Sequence, residues 1–316
     1  MFVVRGIAVS FSVFVMVYGA LSLAIGVCWR KIAAYPEKQR AHRVADVLFA
    51  LRVLPFAAAA MVTLAFAVPS FLLLEPRSID EPVGAIPLAL GSCGILLVLF
   101  GAINAVVALR RASRGIALWT LGAESAACAV EVPVLRITRA VPAMTVAGIA
   151  RPRVLLSRAA EFLLNEGELQ TALNHEVAHV RRRDNLKKLL LRLVLFPGMR
   201  GLETAWLEAT EMAADDAAVS DAAEALDLAA ALIKLSRLGP CEPPVHLTAA
   251  LAYGSVSAMK ARVERLIAWS AEQPKRPRAW SPLYRLTAAL ITLGFFAVTY
   301  SQLLVQVHEA TEWLVR

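Results

Sequence analysis

Charge, histidine and cysteine are all scarce in this chain. Charged residues fill 18% of its 316 positions, against about 25% in an ordinary soluble domain, so a wholly soluble protein is not expected. Of four cysteines, Cys28 and Cys93 lie in apolar runs, and Cys128 and Cys241 stand alone. That spacing excludes a disulfide framework and a cysteine-rich zinc module, and it suits a reducing compartment. There is no internal repeat and no low-complexity tract. The basic residues are not interleaved with aromatics and belong to no recognisable nucleic-acid module, which argues against direct nucleic-acid binding.

What is abundant is apolar sequence. Hydrophobic residues make up 58% of the chain and the mean hydropathy is +0.60, which excludes disorder. Crossing a bilayer takes about 20 largely apolar residues, and four stretches qualify: Gly6–Trp29, Val53–Leu74, Val83–Leu109 and Leu286–Val307. Pro55 and Pro69 are potential kinks in the second. The first is longer than a signal-peptide core and has no clean small-x-small site before Arg30, so it reads as a retained anchor.

Basic residues in short loops orient such spans. Arg30, Lys31, Lys38, Arg40 and Arg43 follow span one; Arg110, Arg111 and Arg114 follow span three; Lys275, Arg276 and Arg278 precede span four. The loop between spans two and three holds Arg77 among Glu75, Asp80 and Glu81. All three basic clusters fall on one side if the N-terminus is outside. The expected organisation is a three-span region over 1–111, a cytoplasmic domain over 112–282, and a fourth span with a short outer tail over 283–316. The net charge of +8 is then explained by basic flanks meeting anionic inner-leaflet lipid.

Within the cytoplasmic segment, Val132–Thr138, Met144–Val146 and Val154–Leu156, punctuated by prolines and Gly148, predict a small β element. The chain beyond about Ala159 reads as helix, opened by a capping box at Asn165 and Glu168. Leu186–Phe196 is apolar with Lys187, Lys188 and Arg192 spaced through it. It is too short to span and fits either an inner-leaflet helix or a core helix.

On the capped helix lies His175-Glu176-Val177-Ala178-His179. Residues four apart on a helix stack one above the other, so two imidazoles can converge on one metal. Glu176 projects about 100° round the helix, beside such a metal, where it can take a proton from water. With five histidines and 18 glutamates, chance alone yields an HExxH in roughly one of 200 such chains. These two histidines also sit among apolar neighbours rather than on a polar face. A catalytic zinc needs a third protein ligand. Glu211 on a following helix, Leu202–Val219, is the best candidate, with Glu203 and Glu208 open on spacing. Asp215, four residues on, suits a partner for a ligating imidazole.

Asn174–His179 followed by Arg182-Arg183-Asp184, and then Glu211 with Asp215-Asp216, resembles the BlaR/MecR-type integral-membrane zinc metallopeptidases. The similarity extends upstream to Val141-Pro142, Gly148, Pro152 and Val154–Ser157. Downstream it extends to Met259–Ile267, covering about residues 130–270. It implies a mostly α membrane protein with four transmembrane helices and an α+β zincin-like domain between the third and fourth. It further implies His175, His179 and Glu211 as ligands of Zn2+, a gluzincin-like set, and Glu176 as general base. One departure is that only His308–Arg316 follow the fourth span, where the sensor-transducers carry a penicillin-binding domain. No S-x-x-K acylation motif is available there, so this chain is not expected to sense β-lactams itself. A separate sensor or repressor is an implied partner.

The expected function is a membrane-bound zinc endopeptidase of the inner membrane, acting on a cytoplasmic regulator or a membrane-proximal protein in signalling. An extended substrate is expected to pair with an edge strand from 132–157, and His246, Tyr253 and Arg182 are low-weight oxyanion donors. Two alternatives stand. One is a quality-control or processing peptidase of the HtpX or CAAX-protease type, against which the three-before, one-after spans count. The other is a non-catalytic zinc-containing transducer, against which the intact Glu176 counts.

Overall fold

The computed structural model describes residues 2–33, 41–76, 83–126, 128–138, 143–238, 249–250, 256–269 and 299–311. Its first third is three long helical runs: α1 (Phe2–Ala33), then α2 (Ala41–Val62) continuing through a π-helical turn (Thr63–Ala67) into α3 (Val68–Leu74), and α4 (Ala85–Trp119). Phe2–Arg30, Ala41–Leu74 and Ala85–Trp119 are each long and apolar enough to cross a bilayer; the protein is a membrane protein. The expected fourth span, Leu286–Val307, lies outside the described residues as far as 298, and 299–311 are helical.

Pro69 shapes the second run as expected of a proline in a membrane helix, although the outcome is a π-turn. Having no N–H, it cannot bond the carbonyl of Ala65 four residues back. The hydroxyl of Tyr300 donates to that carbonyl instead, at 2.7 Å. In lipid, a freed carbonyl needs such a replacement donor.

The chain forms two compact units, one of residues 1–27, 54–99 and 273–316, the other of 28–53 and 100–272. The second unit is built on a small mixed sheet in the order β1-β2-β4-β3-β5. Its strands are β1 (Glu124–Ala126), β2 (Val134–Ile137), β3 (Met144–Ala147), β4 (Arg153–Ser157) and β5 (Ala249–Ala250). β2 and β4 run parallel, Val134 opposite Val154, and the other neighbours are antiparallel. Ile137, Ala147 and Leu155 on one face pack with Ile116 and Trp119 at the end of α4. On the other face Val134, Met144, Val146, Val154 and Leu156 join the main core with Ala172, Leu173, Leu228 and Leu232.

Helices follow: α5 (Arg158–Leu163), α6 (Glu166–Arg181), α7 (Asp184–Leu193), α8 (Arg200–Ala218), α9 (Ala222–Ser236) and α10 (Val256–Ile267). The short apolar run Leu186–Phe196 is thus largely α7, whose first turn is polar and buried. Two expectations are corrected. The chain beyond Ala159 is not all helix, because β5 adds to β3 opposite Thr145 and Val146. Among the described residues no strand from 132–157 is therefore a sheet edge; the edges are β1 and β5. Two alanines paired over two positions carry no alternation that a sequence pattern could register.

Candidate metal centre

The capping box opens α6 as the sequence predicts. Asn165 Oδ1 accepts from the Glu168 amide at 2.8 Å, and Glu168 Oε2 accepts from the Asn165 amide at 2.9 Å. Lys234 of α9 donates to the same Glu168 oxygen at 2.7 Å, tying the cap to the neighbouring helix. α6 packs against α8, α9 and β3, so its second half is enclosed. His175 and Glu176 are fully buried there, and His179 nearly so.

The two imidazoles meet through Nε2, 3.1 Å apart. Each ring is oriented from behind by a carboxylate. His175 Nδ1 lies 2.9 Å from Asp215 Oδ1, and His179 Nδ1 lies 2.7 Å from Asp184 Oδ2. An ionised carboxylate there accepts a hydrogen bond from the Nδ1–H of a neutral imidazole, leaving both Nε2 lone pairs directed at one another. Glu211 completes the group: Oε2 is 3.6 Å from His175 Nε2, and Oε1 is 3.6 Å from His179 Nε2.

With both rings neutral the two lone pairs repel, and either a proton shared between them or a metal ion held by both relieves that repulsion. The two Nε2 atoms, 3.1 Å apart and each 3.6 Å from a different oxygen of the Glu211 carboxylate, also match a four-coordinate zinc, whose ligands at 2.0–2.1 Å stand about 3.3 Å apart. The residues present therefore fit the ion. Among the described residues, His175, His179 and Glu211 are the one group of three with metal-binding spacing.

Glu176 stands apart from that group. Both of its carboxylate oxygens are buried without a hydrogen-bond partner. Burial pushes its pKa up, while the two imidazoles oppose the rise. A carboxylate with no donors to hold its charge is ready to accept a proton. Burial likewise opposes charging His175, but Asp215 and Glu211 outweigh it, and its pKa in the metal-free chain is raised to about 9. Burial raises Glu211, yet His179, His175 and Arg262 together bring it down to about 2.

The local backbone explains how Asp184 reaches back to His179. Arg183, between α6 and α7, takes a left-handed conformation with φ 54°, so the chain reverses within two residues of the helix end. Asn185 then fastens α7 to the sheet, donating from Nδ2 to the carbonyls of Val146 and Gly148 at 3.2 and 3.0 Å.

The remote side is held by α10. Arg262, 4% exposed, forks onto Asp215 with Nε to Oδ2 at 2.8 Å and Nη2 to Oδ1 at 2.7 Å. Its Nη1 lies 3.1 Å from Glu211 Oε2. One turn on, Arg265 donates to Asp216. Glu211 and Asp215 thus share the Arg262 guanidinium, and Asp215 is held well below the ordinary carboxylate range despite its burial.

The structure brings together His175, Glu176, His179, Glu211 and Asp215. Glu203 instead lies 3.8 Å from Arg192. Of the oxyanion donors considered, Arg182 pairs with Asp46 at 3.1 Å, and His246 and Tyr253 lie outside the described residues. Sequence reasoning missed Asp184 as the partner of His179, and Arg262 as the clamp. It also missed Lys188, whose charge acts on Glu176 and is acted on by Glu211 and Asp184. The available signal for Asp184 was a lone acid five residues after the second histidine.

A family model described as BlaR1 peptidase M56 matches residues 75–266. The chain belongs to this family. The match takes in α4 and every element from β1 to α9, so the BlaR1-type peptidase region carries the whole histidine and carboxylate cluster. No curated protein matches the chain significantly. Membership in a peptidase family and a buried His-His-Glu group agree on a membrane metallopeptidase.

Proposed function

We propose that this chain is a membrane-bound zinc endopeptidase in which His175, His179 and Glu211 hold the ion and Glu176 is the general base. The observation that carries the reading is the pair of Nε2 atoms 3.1 Å apart, both facing Glu211. When bound, zinc supplies Lewis acidity, polarising a scissile carbonyl and bringing the pKa of a water to about 7. Asp215 and Asp184 keep the Nδ1 protons in place and so keep both Nε2 atoms available to the ion. Glu176 takes the proton of the attacking water on its unpartnered carboxylate and passes it to the leaving amine. Its raised pKa suits both halves of that transfer. The intact base favours an enzyme over a structural zinc site, which has no use for a carboxylate beside its ion.

The substrate we infer is a cytoplasmic regulator or a membrane-proximal protein, cut in signalling. The basic residues of the short loops support an N-terminus outside and a cytoplasmic peptidase unit. The test compares protein N-termini by mass spectrometry in cells carrying wild type or Glu176→Gln. A few termini found only with wild type support a selective regulatory peptidase. Many termini in damaged membrane proteins point to quality control. Identical sets, with purified wild type also unable to cut unfolded protein, overturn the enzyme reading.

A further inference from the structure

The second membrane run carries a buried charged group that the peptidase reading does not use. The buried stripe of α2 is Ala45, Leu48, Arg52, Pro55 and Ala59, at alternating spacings of three and four that mark one helix face. Arg52 is its only charged member, 3% exposed, and its Nε and Nη1 are buried with no hydrogen-bond partner. An enclosed guanidinium without a counter-charge is strongly unfavourable. Inside a membrane protein such a residue points to a ligand or an ion that completes it.

Its height along the helix says which. The run after it, Val53–Leu74, is 22 residues without a charge, about 33 Å of helix, which is the hydrocarbon thickness of a bilayer. Arg52 therefore stands where that thickness ends, at the level of lipid phosphates. Further donors pack around its helix neighbour Phe49. One turn earlier, the Phe49 ring packs 5.9 Å from that of Trp206, and Lys187 Nζ lies 5.5 Å from the same ring. Trp206 is buried and its indole N–H has no partner. The nearby acid Asp46 is already engaged by Arg182 and Lys187 at 3.1 and 3.3 Å.

We propose that Arg52 is the anchoring cation of a binding site for the phosphate of an anionic phospholipid headgroup, with the Trp206 indole N–H as a second donor. Arg30, Arg110, Arg111 and Arg114 also end uncharged runs but are exposed, so they attract anionic lipid without enclosing it. A planar guanidinium holds a phosphate through two parallel hydrogen bonds, which an ammonium cannot reproduce.

The test is native mass spectrometry of the full chain released from detergent and titrated with phosphatidylglycerol, phosphatidylcholine or inorganic phosphate. Wild type is expected to retain one phosphatidylglycerol, at least tenfold more tightly than phosphatidylcholine. Arg52→Gln is expected to weaken it at least tenfold, Arg52→Lys by less, and Arg110→Gln not at all. Should Arg52→Gln fail to fold, Trp206→Phe keeps the packing and removes the second donor, with an expected loss of about threefold. Equal retention of the two lipids, or full retention in both Arg52→Gln and Trp206→Phe, overturns the proposal. Binding of inorganic phosphate with the same Arg52 dependence, displacing phosphatidylglycerol, reassigns the site to a free anion and overturns the lipid source.

Discussion

The two halves of the proposed metal centre are built in different ways. His175, Glu176, His179 and Asp184 come from ten consecutive residues on α6 and the turn into α7. Glu211, Asp215 and Arg262 come from α8 and α10, brought in by packing alone. On the local side, helical spacing aligns the two rings and one left-handed residue returns Asp184 to His179. On the remote side, buried Asp215 and partly buried Glu211 share one buried guanidinium. The difference teaches that the local half is a property of the chain's near sequence. The remote half is a property of the fold, and damage to the fold should reach the metal through Glu211 first.

The largest effect is expected at the base. Glu176→Gln should lower peptide hydrolysis by about 10²–10⁴-fold while leaving zinc content at one per chain, measured by mass spectrometry of the metal on the same sample. Next comes the clamp. Arg262→Met strands Asp215 and Glu211 as buried charges, a loss of about 3–5 kcal/mol when one partner of a buried pair is removed. Chemical denaturation of the detergent-solubilised chain should show it, and zinc affinity should fall with it. If stability is unchanged, the remote half does not depend on α10.

Asp184→Ala tests the local half. It removes the acceptor behind His179 and should weaken zinc about 10–100-fold, read by competition with a chelator, with little change in the denaturation midpoint of the metal-free chain. An equal loss of folding stability would erase the distinction between the halves.

A pH dependence sharpens the comparison further. In the metal-free chain His175 has its pKa raised from 6.5 to about 9. Its contribution to stability is therefore full below pH 6.5 and is lost as pH rises through about 9. Zinc must displace that proton, so uptake between about pH 6.5 and 9 should release it; calorimetry in buffers of different ionisation enthalpy measures the release. Asp215→Asn should shrink it.

The smallest effect is at the turn. Arg183 pays the strain of a left-handed conformation, about 1–2 kcal/mol for a residue with a side chain. Arg183→Gly should relieve up to about 1 kcal/mol, visible as a higher denaturation midpoint with zinc affinity unchanged.

The same division explains what was legible beforehand. The capping box and the spacing of His175 and His179 follow from periodicities of a few residues and stand where the sequence places them; the three apolar helices take in their expected runs, Val83 and Gly84 apart, but extend beyond them, the second from Ala41 and the third to Trp119. Glu211 and Asp215 were found on a separate helix because they are four apart on one face. The residue that fixes them, Arg262, has no local signature, since an arginine on an amphipathic helix looks the same whether it meets solvent or a buried carboxylate. Asp184 was visible as an acid but not as a partner, because a positive φ at an arginine is not foreseeable from its identity. β5 was lost for the opposite reason, being two alanines whose strand character comes only from pairing with β3.

The central claim is a zinc centre made by His175, His179 and Glu211 with Glu176 outside it. Zinc stoichiometry and zinc X-ray absorption on the purified full chain test it most directly, in wild type, Glu176→Gln and Glu211→Ala. The account predicts one zinc with two imidazole nitrogens at 2.0–2.1 Å and a carboxylate oxygen at about 2.0–2.2 Å, unchanged in Glu176→Gln and lost or without that oxygen in Glu211→Ala. An unaltered zinc environment in Glu211→Ala, or loss of the metal in Glu176→Gln, would contradict it.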